Sequence, residues 1–375
     1  MNQKGLSEKE VLSFLNNARS KDTSYSKVLS AMCTRPHPIA VKAHMQFIES
    51  NLGDFGLFPG TKELEEKVIR LMGELFGDPD ACGYITTGGT ESNIQALRTA
   101  RNMSKKEHPN VVVPSSAHFS FDKIADLLGI EIRKAGLDSQ FKVDLDAVET
   151  LIDNDTIALV GVAGSTEFGQ VDPIKKLAHL ALSRGLFLHV DAAFGGFVIP
   201  FLDRKYDFDF SVRGITSITA DPHKMGLSTI PAGGLLFSDE ACLLPLQIDT
   251  PYLTIRQQHS LAGTRSGAAV AAAYAVMTHL GMEGYGKIVD RCMKMTCRLV
   301  DGAKEAGIRP LIDPVMNIVA LDVPGLDDVR KKLREKGWFT SITRNPRAMR
   351  LIIMPHITEE AIELFISDFG EALQD

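Results

Sequence analysis

Between residues 81 and 237 short apolar runs alternate with helical patterns, and no other feature of this chain restricts its fold so tightly. The runs are GYITT (83–87), VVVP (111–114), IALVGVAG (157–164), LFLHVD (186–191), SITA (217–220) and GGLLF (233–237). Strands that are apolar throughout are buried on both faces, and amphipathic helices between them supply the cover. The pattern predicts an α/β fold with a mainly parallel sheet flanked by helices.

Two of the helices carry clear punctuation. One runs from about Thr61, read as its N-cap, with Leu64, Val68, Leu71, Met72 and Leu75 on one face and Gly77 at the left-handed position that ends it. The other has Asp172 as N-cap, Pro173 at its first position, Ile174, Leu177, Leu180 and Ala181 on one face, and Gly185 at its end. Beyond Gly267 an alanine-rich helix leads to helix, strand (NIVALDV), helix, strand (RLIIMPH) and helix, the pattern of a small α+β domain. A chain of 375 residues is long enough for its core to divide. The expected units are an N-terminal segment 1–52, a large domain 53–275 and a small C-terminal domain 276–375, with no long linker between them.

A formal charge of -6 gives no reason to expect nucleic acid or an anionic membrane as a partner. The first fifteen residues lack an apolar leader core and no 18-residue apolar run follows, so the expected location is the cytoplasm. Cys33, Cys82, Cys242, Cys292 and Cys297 form no C-x-x-C pair and are expected to be buried free thiols, with no metal site.

Ligands of open parallel sheets bind beyond the carboxyl ends of the strands, so polar residues there are the first candidates. The segment TTGGTESN (86–93) passes from a strand through two glycines into a helix start. Its backbone N–H groups suit a phosphate, although a plain strand-to-helix turn reads the same way. In LFLHVDAAFGG (186–196) Asp191 ends an apolar strand, with His189 on the same face. It is either a loop anchor or the counter-ion of a bound cation, since an unpaired buried carboxylate is costly. In SITADPHKMG (217–226) Lys224 follows a strand through Asp-Pro-His, which brings its amine to the same sheet edge. Desolvation there is expected to disfavour the ammonium form and leave a nucleophile.

The ordered set Gly-Gly-Thr-Glu (88–91), Ser-Ala-His-Phe-Ser (116–120), Gly-Ser-Thr (164–166), His-Val-Asp-Ala-Ala (189–193) and Asp-Pro-His-Lys (221–224) resembles the group II amino-acid decarboxylases, pyridoxal 5'-phosphate (PLP) enzymes of fold type I. Within that group NLGDFGLFPGTKELEEK, DAAFGGFVIPFLD, PYLT, GTRSG and MPHIT resemble the archaeal tyrosine/aspartate decarboxylases of methanofuran and coenzyme A biosynthesis. The resemblance implies that Lys224 holds PLP as an aldimine and that Asp191 keeps the pyridine nitrogen protonated. It further implies that Gly88, Gly89 and Thr90 hold the phosphate, with His223 nearby and Thr264 arriving from the second subunit of a homodimer whose site lies at the interface. His118 would stack on the ring, Thr166 would touch the cofactor's edge, and Ala193 would line its site. Arg350 is the candidate for the substrate carboxylate. Tyr252, in a segment that closes the site in this family, either donates a proton or packs there.

The implied reaction is loss of the α-carboxylate from an L-amino acid, L-tyrosine giving tyramine and L-aspartate giving β-alanine. Phe55, Phe58 and Phe119 are candidates for an apolar slot, and Arg256 or Arg350 for a second carboxylate. Fold alone also admits a glutamate decarboxylase, an aldehyde lyase, a cysteine desulfurase or a sensor without catalysis.

Overall fold

The structure is a computed structural model that describes Met1 and residues 3–374. Helix α1 (Glu8–Arg19) opens on a capping box, Ser7 and Glu10 satisfying each other's backbone N–H, and buries none of its residues. It is followed by α2 (Pro38–Gln46) and α3 (Pro59–Leu75). Helix α3 begins ahead of the expected N-cap, because Pro59 is already fixed at a helical φ, and Thr61 lies buried inside the first turn. Gly77 ends it at φ 76°, as the sequence implies.

The large sheet then forms from β1 (Cys82–Thr86), α4 (Gly89–Met103), β2 (Asn110–Pro114), α5 (Ser120–Leu128), β3 (Glu131–Ala135), α6 (Leu145–Leu151), β4 (Thr156–Val162), α7 (Ile174–Arg184), β5 (Phe187–Asp191), β6 (Ser217–Ala220) and β7 (Gly233–Phe237). The strand order is β1-β7-β6-β5-β4-β2-β3, parallel from β3 through β6, with β7 antiparallel to both its neighbours. The six expected runs are all strands. Strand β3 was not legible, because as an edge strand it carries Glu131, Arg133 and Lys134 and never forms an apolar run.

This topology aims the ends of β1, β2, β4, β5 and β6 at one edge. The loops after them deliver residues 87–91, 115–119, 163–167, 192–194 and 221–224 to one place. One correction concerns the loop after β4. Asp172 does not cap α7; its carboxylate accepts from Val143 N at 2.8 Å and Val162 N at 2.7 Å, tying the chain before α6 to the end of β4. Burial pushes its pKa up to about 7, against the two backbone donors.

A two-stranded ribbon, β8 (Ile248–Asp249) and β9 (Gln257–Gln258), precedes the long α8 (Gly267–Glu305), which is broken at Gly281 with φ 55° and ψ -170°. The small domain adds β10 (Ile318–Leu321), α9 (Leu326–Glu335), β11 (Ser341–Ile342), β12 (Met349–Ile352) and α10 (Glu359–Gln374), its sheet antiparallel in the order β10-β12-β11. One apolar core runs through both parts, from Val68, Phe76 and Phe197 beside the large sheet to Trp338 and Phe365 under the small one. Residues 27–30 pair with the small domain: Leu29 N donates to Phe339 O at 2.9 Å and Ile352 N to Leu29 O at 2.8 Å.

A buried ion pair anchors the chain between β9 and α8. Arg265 meets Glu65 of α3 and also donates to Ile85 O at 2.7 Å, while Glu65 accepts from Ile85 N at 3.0 Å. Burial pushes the Glu65 carboxyl up, and Arg265 with Lys62 outweighs it, so the group is held below the usual range. The cysteines are all free, but only Cys242 and Cys292 are buried as expected; Cys33 and Cys82 are half-buried and Cys297 is exposed, on the outer face of α8.

Candidate active site

The turn between β1 and α4 is built around glycine. Gly88 stands at φ 150°, and a Cβ there would come within 3.1 Å of the His223 ring; one on Gly89 would meet Asp221 Oδ2 at 3.0 Å. The side chains fix the turn further. Thr86 Oγ1 pairs with Ser92 Oγ at 2.7 Å, and Glu91 Oε2 accepts from Thr87 N at 2.8 Å and Thr87 Oγ1 at 2.7 Å. The first-turn N–H groups of α4, from Gly89 and Thr90 on, open to a cavity of about 360 Å³ that Gly88, Asp191, His223 and Lys224 also line.

Asp191 ends β5 inside this cavity and is buried. Its Oδ1 accepts from Ala193 N at 3.1 Å and its Oδ2 from Asn93 Nδ2 at 2.8 Å. Asn93 faces inward from α4, and its Oδ1 lies 2.9 Å from His189 Nε2, whose Nδ1 lies 2.8 Å from Ser217 Oγ. Burial, opposed by Asp191, lowers the His189 pKa to about 4, so the ring is neutral at pH 7. Since the amide donates to Asp191, its oxygen must accept, and the His189 proton sits on Nε2.

Lys224 lies on the turn after β6, its Nζ 3.2 Å from Asp221 Oδ2. The expectation of a neutral amine is overturned. Burial does lower the Lys224 pKa, but Asp221 and then Asp191 raise it by more, and the net shift is upward. His223 Nδ1 accepts from Ala232 N at 3.2 Å, and burial lowers its pKa against the pull of Asp221.

A second cavity of about 900 Å³ adjoins the first, sharing Met32, His118, Phe119 and Thr166 as walls and reaching Arg350 on β12. His118 Nδ1 accepts from Ser120 N at 3.2 Å, its ring is 4.0 Å from that of Phe119, and burial lowers its pKa despite Asp191. Arg350 donates from Nη2 to Ser30 O at 3.3 Å, while its Nε is buried without a partner among the described residues. Burial lowers its pKa too, against Glu167.

Lys224, Asp191, His118, Gly88, Gly89, Thr90, Thr166, Ala193 and His223 therefore share one cavity, with Arg350 in the adjoining one. Tyr252 and Thr264 do not join them: both are exposed, Tyr252 at 87 %, and line neither cavity of this chain. Of the apolar candidates Phe119 lines both cavities, whereas Phe58 and Phe55 line neither; Phe58 precedes α3, and Phe55 lies under the Lys62 ammonium. Arg256 is exposed beside β9. Sequence reasoning missed Asn93 and Asp221 as site residues. Asn93 faces inward from helical periodicity after Gly89, and Asp221 stands three residues before Lys224 in one turn, so spacing could have found both.

The comparisons agree with this geometry. The pyridoxal-dependent decarboxylase conserved domain matches residues 26–317. A protein of Methanosarcina acetivorans described as a probable L-tyrosine/L-aspartate decarboxylase is 57% identical, over 99% of both chains. One of Archaeoglobus fulgidus described as a probable L-aspartate decarboxylase is 52% identical, over 97% of this chain and 100% of its own. Among solved structures, a sphingosine-1-phosphate lyase of Burkholderia pseudomallei is similar at a TM-score of 0.92 and 26% identity, covering 100% of this chain and 92% of its own. A glutamate decarboxylase of Lactobacillus brevis shares the fold at a TM-score of 0.91 and 22% identity, over 100% and 94%. With the domain match spanning most of its length and relatives above half identity from end to end, the chain belongs to the pyridoxal-dependent decarboxylase family.

Proposed function

We propose that the chain decarboxylates L-tyrosine and L-aspartate with PLP, giving tyramine and β-alanine. The observation that carries this reading is the single cavity that joins Lys224, Asp191 and the glycine turn, in a chain whose relatives bear those two substrates in their descriptions.

The residues present fit the cofactor. The cradle at Gly88 and Gly89 is a place a Cβ would fill, and it opens on helix N–H donors that suit a phosphate. Asp191 spends one acceptor position on each of two donors, which leaves carboxylate lone pairs for a ring N–H. Lys224, the only lysine lining the cavity among the described residues, is the amine that would hold an aldehyde. When bound, PLP supplies an electron sink for the pair left as the Cα–carboxylate bond breaks.

The chain's own groups would do the rest. Lys224 carries an ammonium proton that has to leave before Nζ can bond to carbon, and Asp221 Oδ2 at 3.2 Å is within reach to take it. Arg350, with a free buried Nε, would orient the substrate carboxylate bidentately. His118, whose Nδ1 is engaged by Ser120 N, keeps a proton on Nε2 and lines both cavities, which favours it over Tyr252 as the proton donor to Cα. Thr166 and Ala193 would flank the cofactor, and His223 would stand beside its phosphate. The exposure of Tyr252 and Thr264 supports a homodimer in which each reaches the partner's site. The free cysteines suit a cytoplasmic location.

The test is turnover of L-tyrosine, L-aspartate and L-glutamate by the holoenzyme, with carbon dioxide and amine both measured. Tyramine and β-alanine are expected. A preference for glutamate by about tenfold, ~1.4 kcal/mol of discrimination, or an aldehyde product, overturns the reading.

A further inference from the structure

Two arginines of the small domain face the larger cavity, and they differ in how firmly they are held. Arg350 is half-buried on the central strand β12, tied to Ser30 O. Arg344 sits in the hairpin loop between β11 and β12 with its side chain 73% exposed, and its Nε lies 3.3 Å from Oε1 of Glu167, itself only 17% exposed. Glu167 also acts electrostatically on Arg350, so one carboxylate serves both cations. On the same cavity wall Phe141 and Phe168 stack, ring centroids 4.1 Å apart and planes 9° from parallel.

We propose that Arg344 is the specificity residue for acidic substrates: it leaves Glu167 to bind the distal carboxylate of a dicarboxylic amino acid and returns to Glu167 when an aromatic side chain lies along Phe141 and Phe168. The proposal rests on the reading that aspartate and tyrosine are both substrates. The physical difficulty of such dual use is that a fixed cation suited to a second carboxylate is left unpaired when a neutral ring binds, at a cost larger than a missed apolar contact. A cation with a resident carboxylate avoids this. Arg344, 73% exposed, keeps its head in solvent when it leaves, and Glu167 retains the field of Arg350, whereas a carboxylate entering the cavity gains a charge-assisted, bidentate bond. Arg350 cannot play this part, since its carboxylate-binding face is committed to the group that every amino-acid substrate carries.

The test uses the holoenzyme and the R344Q variant, whose substitution lies in an exposed loop. The aspartate-to-tyrosine ratio of kcat/KM should fall tenfold or more, mainly through the KM for aspartate, and E167Q, which frees Arg344, should raise that ratio. A second arm needs no turnover: calorimetric binding of succinate against 3-(4-hydroxyphenyl)propionate, each of which offers one carboxylate to Arg350. In R344Q the dissociation constant of succinate should rise tenfold or more relative to that of the phenolic acid. An unchanged ratio in either arm, or an equal loss for both ligands, overturns the proposal. Absence of turnover of both amino acids by the unaltered enzyme, with the binding ratio still shifted by R344Q, would instead defeat the functional reading and leave the subsite standing.

Discussion

Asn93 Nδ2 donates to Asp191 Oδ2 at 2.8 Å, and this one bond joins the first turns of α4 to the end of β5 at the cavity wall. Asn93 also donates to Ser120 Oγ at 3.1 Å, so α5 is drawn into the same junction. The carboxylate is thus held by the protein's own donors, its orientation set before any ligand arrives.

Replacing Asp191 by Asn should leave the fold intact and slow turnover about a hundredfold or more, ~2.7 kcal/mol of barrier. An amide cannot hold a pyridine nitrogen protonated by charge, and it would also turn one N–H toward Asn93 or Ala193, both of which donate to this position. Steady-state kcat with far-ultraviolet dichroism checks both halves of the expectation.

Lys224→Ala should abolish both turnover and the borohydride-trapped adduct of the cofactor. Peptide mapping of the reduced wild-type protein should find the label on Lys224, the lysine 3.2 Å from Asp221. A label on any other lysine counts against the site.

The neutral His189 makes stability depend on pH. Its folded pKa of about 4 lies below the ordinary 6.5, so the unfolded chain binds the extra proton between those values and stability falls as pH drops through that window. The full contribution, about 3 kcal/mol, is present above pH 6.5. Urea denaturation from pH 7 to 4.5 should show the decline, and His189→Gln, which keeps a donor toward Asn93 without titrating, should flatten part of it.

Glu65→Gln should cost about 3–5 kcal/mol of stability, because it leaves the Arg265 guanidinium buried without its counter-charge. The effect should also reach Thr264, the next residue, through the loss of the anchor at Ile85 O. Denaturation midpoints measure the first effect, and proteolysis within residues 250–264 the second.

The parts of this architecture that were legible are those that repeat a single environment. A strand buried on both faces reads as an apolar run, so β1, β2, β4, β5, β6 and β7 were all readable, and the residues at their ends formed the candidate site. The edge strand β3 was silent because its environment is mixed. Asp172 misled for a related reason: an Asp before a Pro is a capping signal locally, and only the tertiary structure brings Val143 and Val162 to it. The charge state of Lys224 was equally beyond reach, since burial and two carboxylates act in opposite directions and only their distances decide. Arg350 was readable as a candidate, whereas Arg344 and Glu167 lie far apart in sequence and meet only across the cavity.

The chain passes between the large sheet and the small domain twice, once through residues 31–36 below the paired segment 27–30 and once through α8 near its break at Gly281. Between these two crossings the parts share one apolar core, so packing as well as the chain holds them together. Arg350 moves with Ser30, to which it is bonded, while Lys224 and Asp191 stay with the large sheet. The wall that carries Arg350 and the wall that carries Lys224 thus come from different parts of the fold, and the packing of the shared core sets the distance between them.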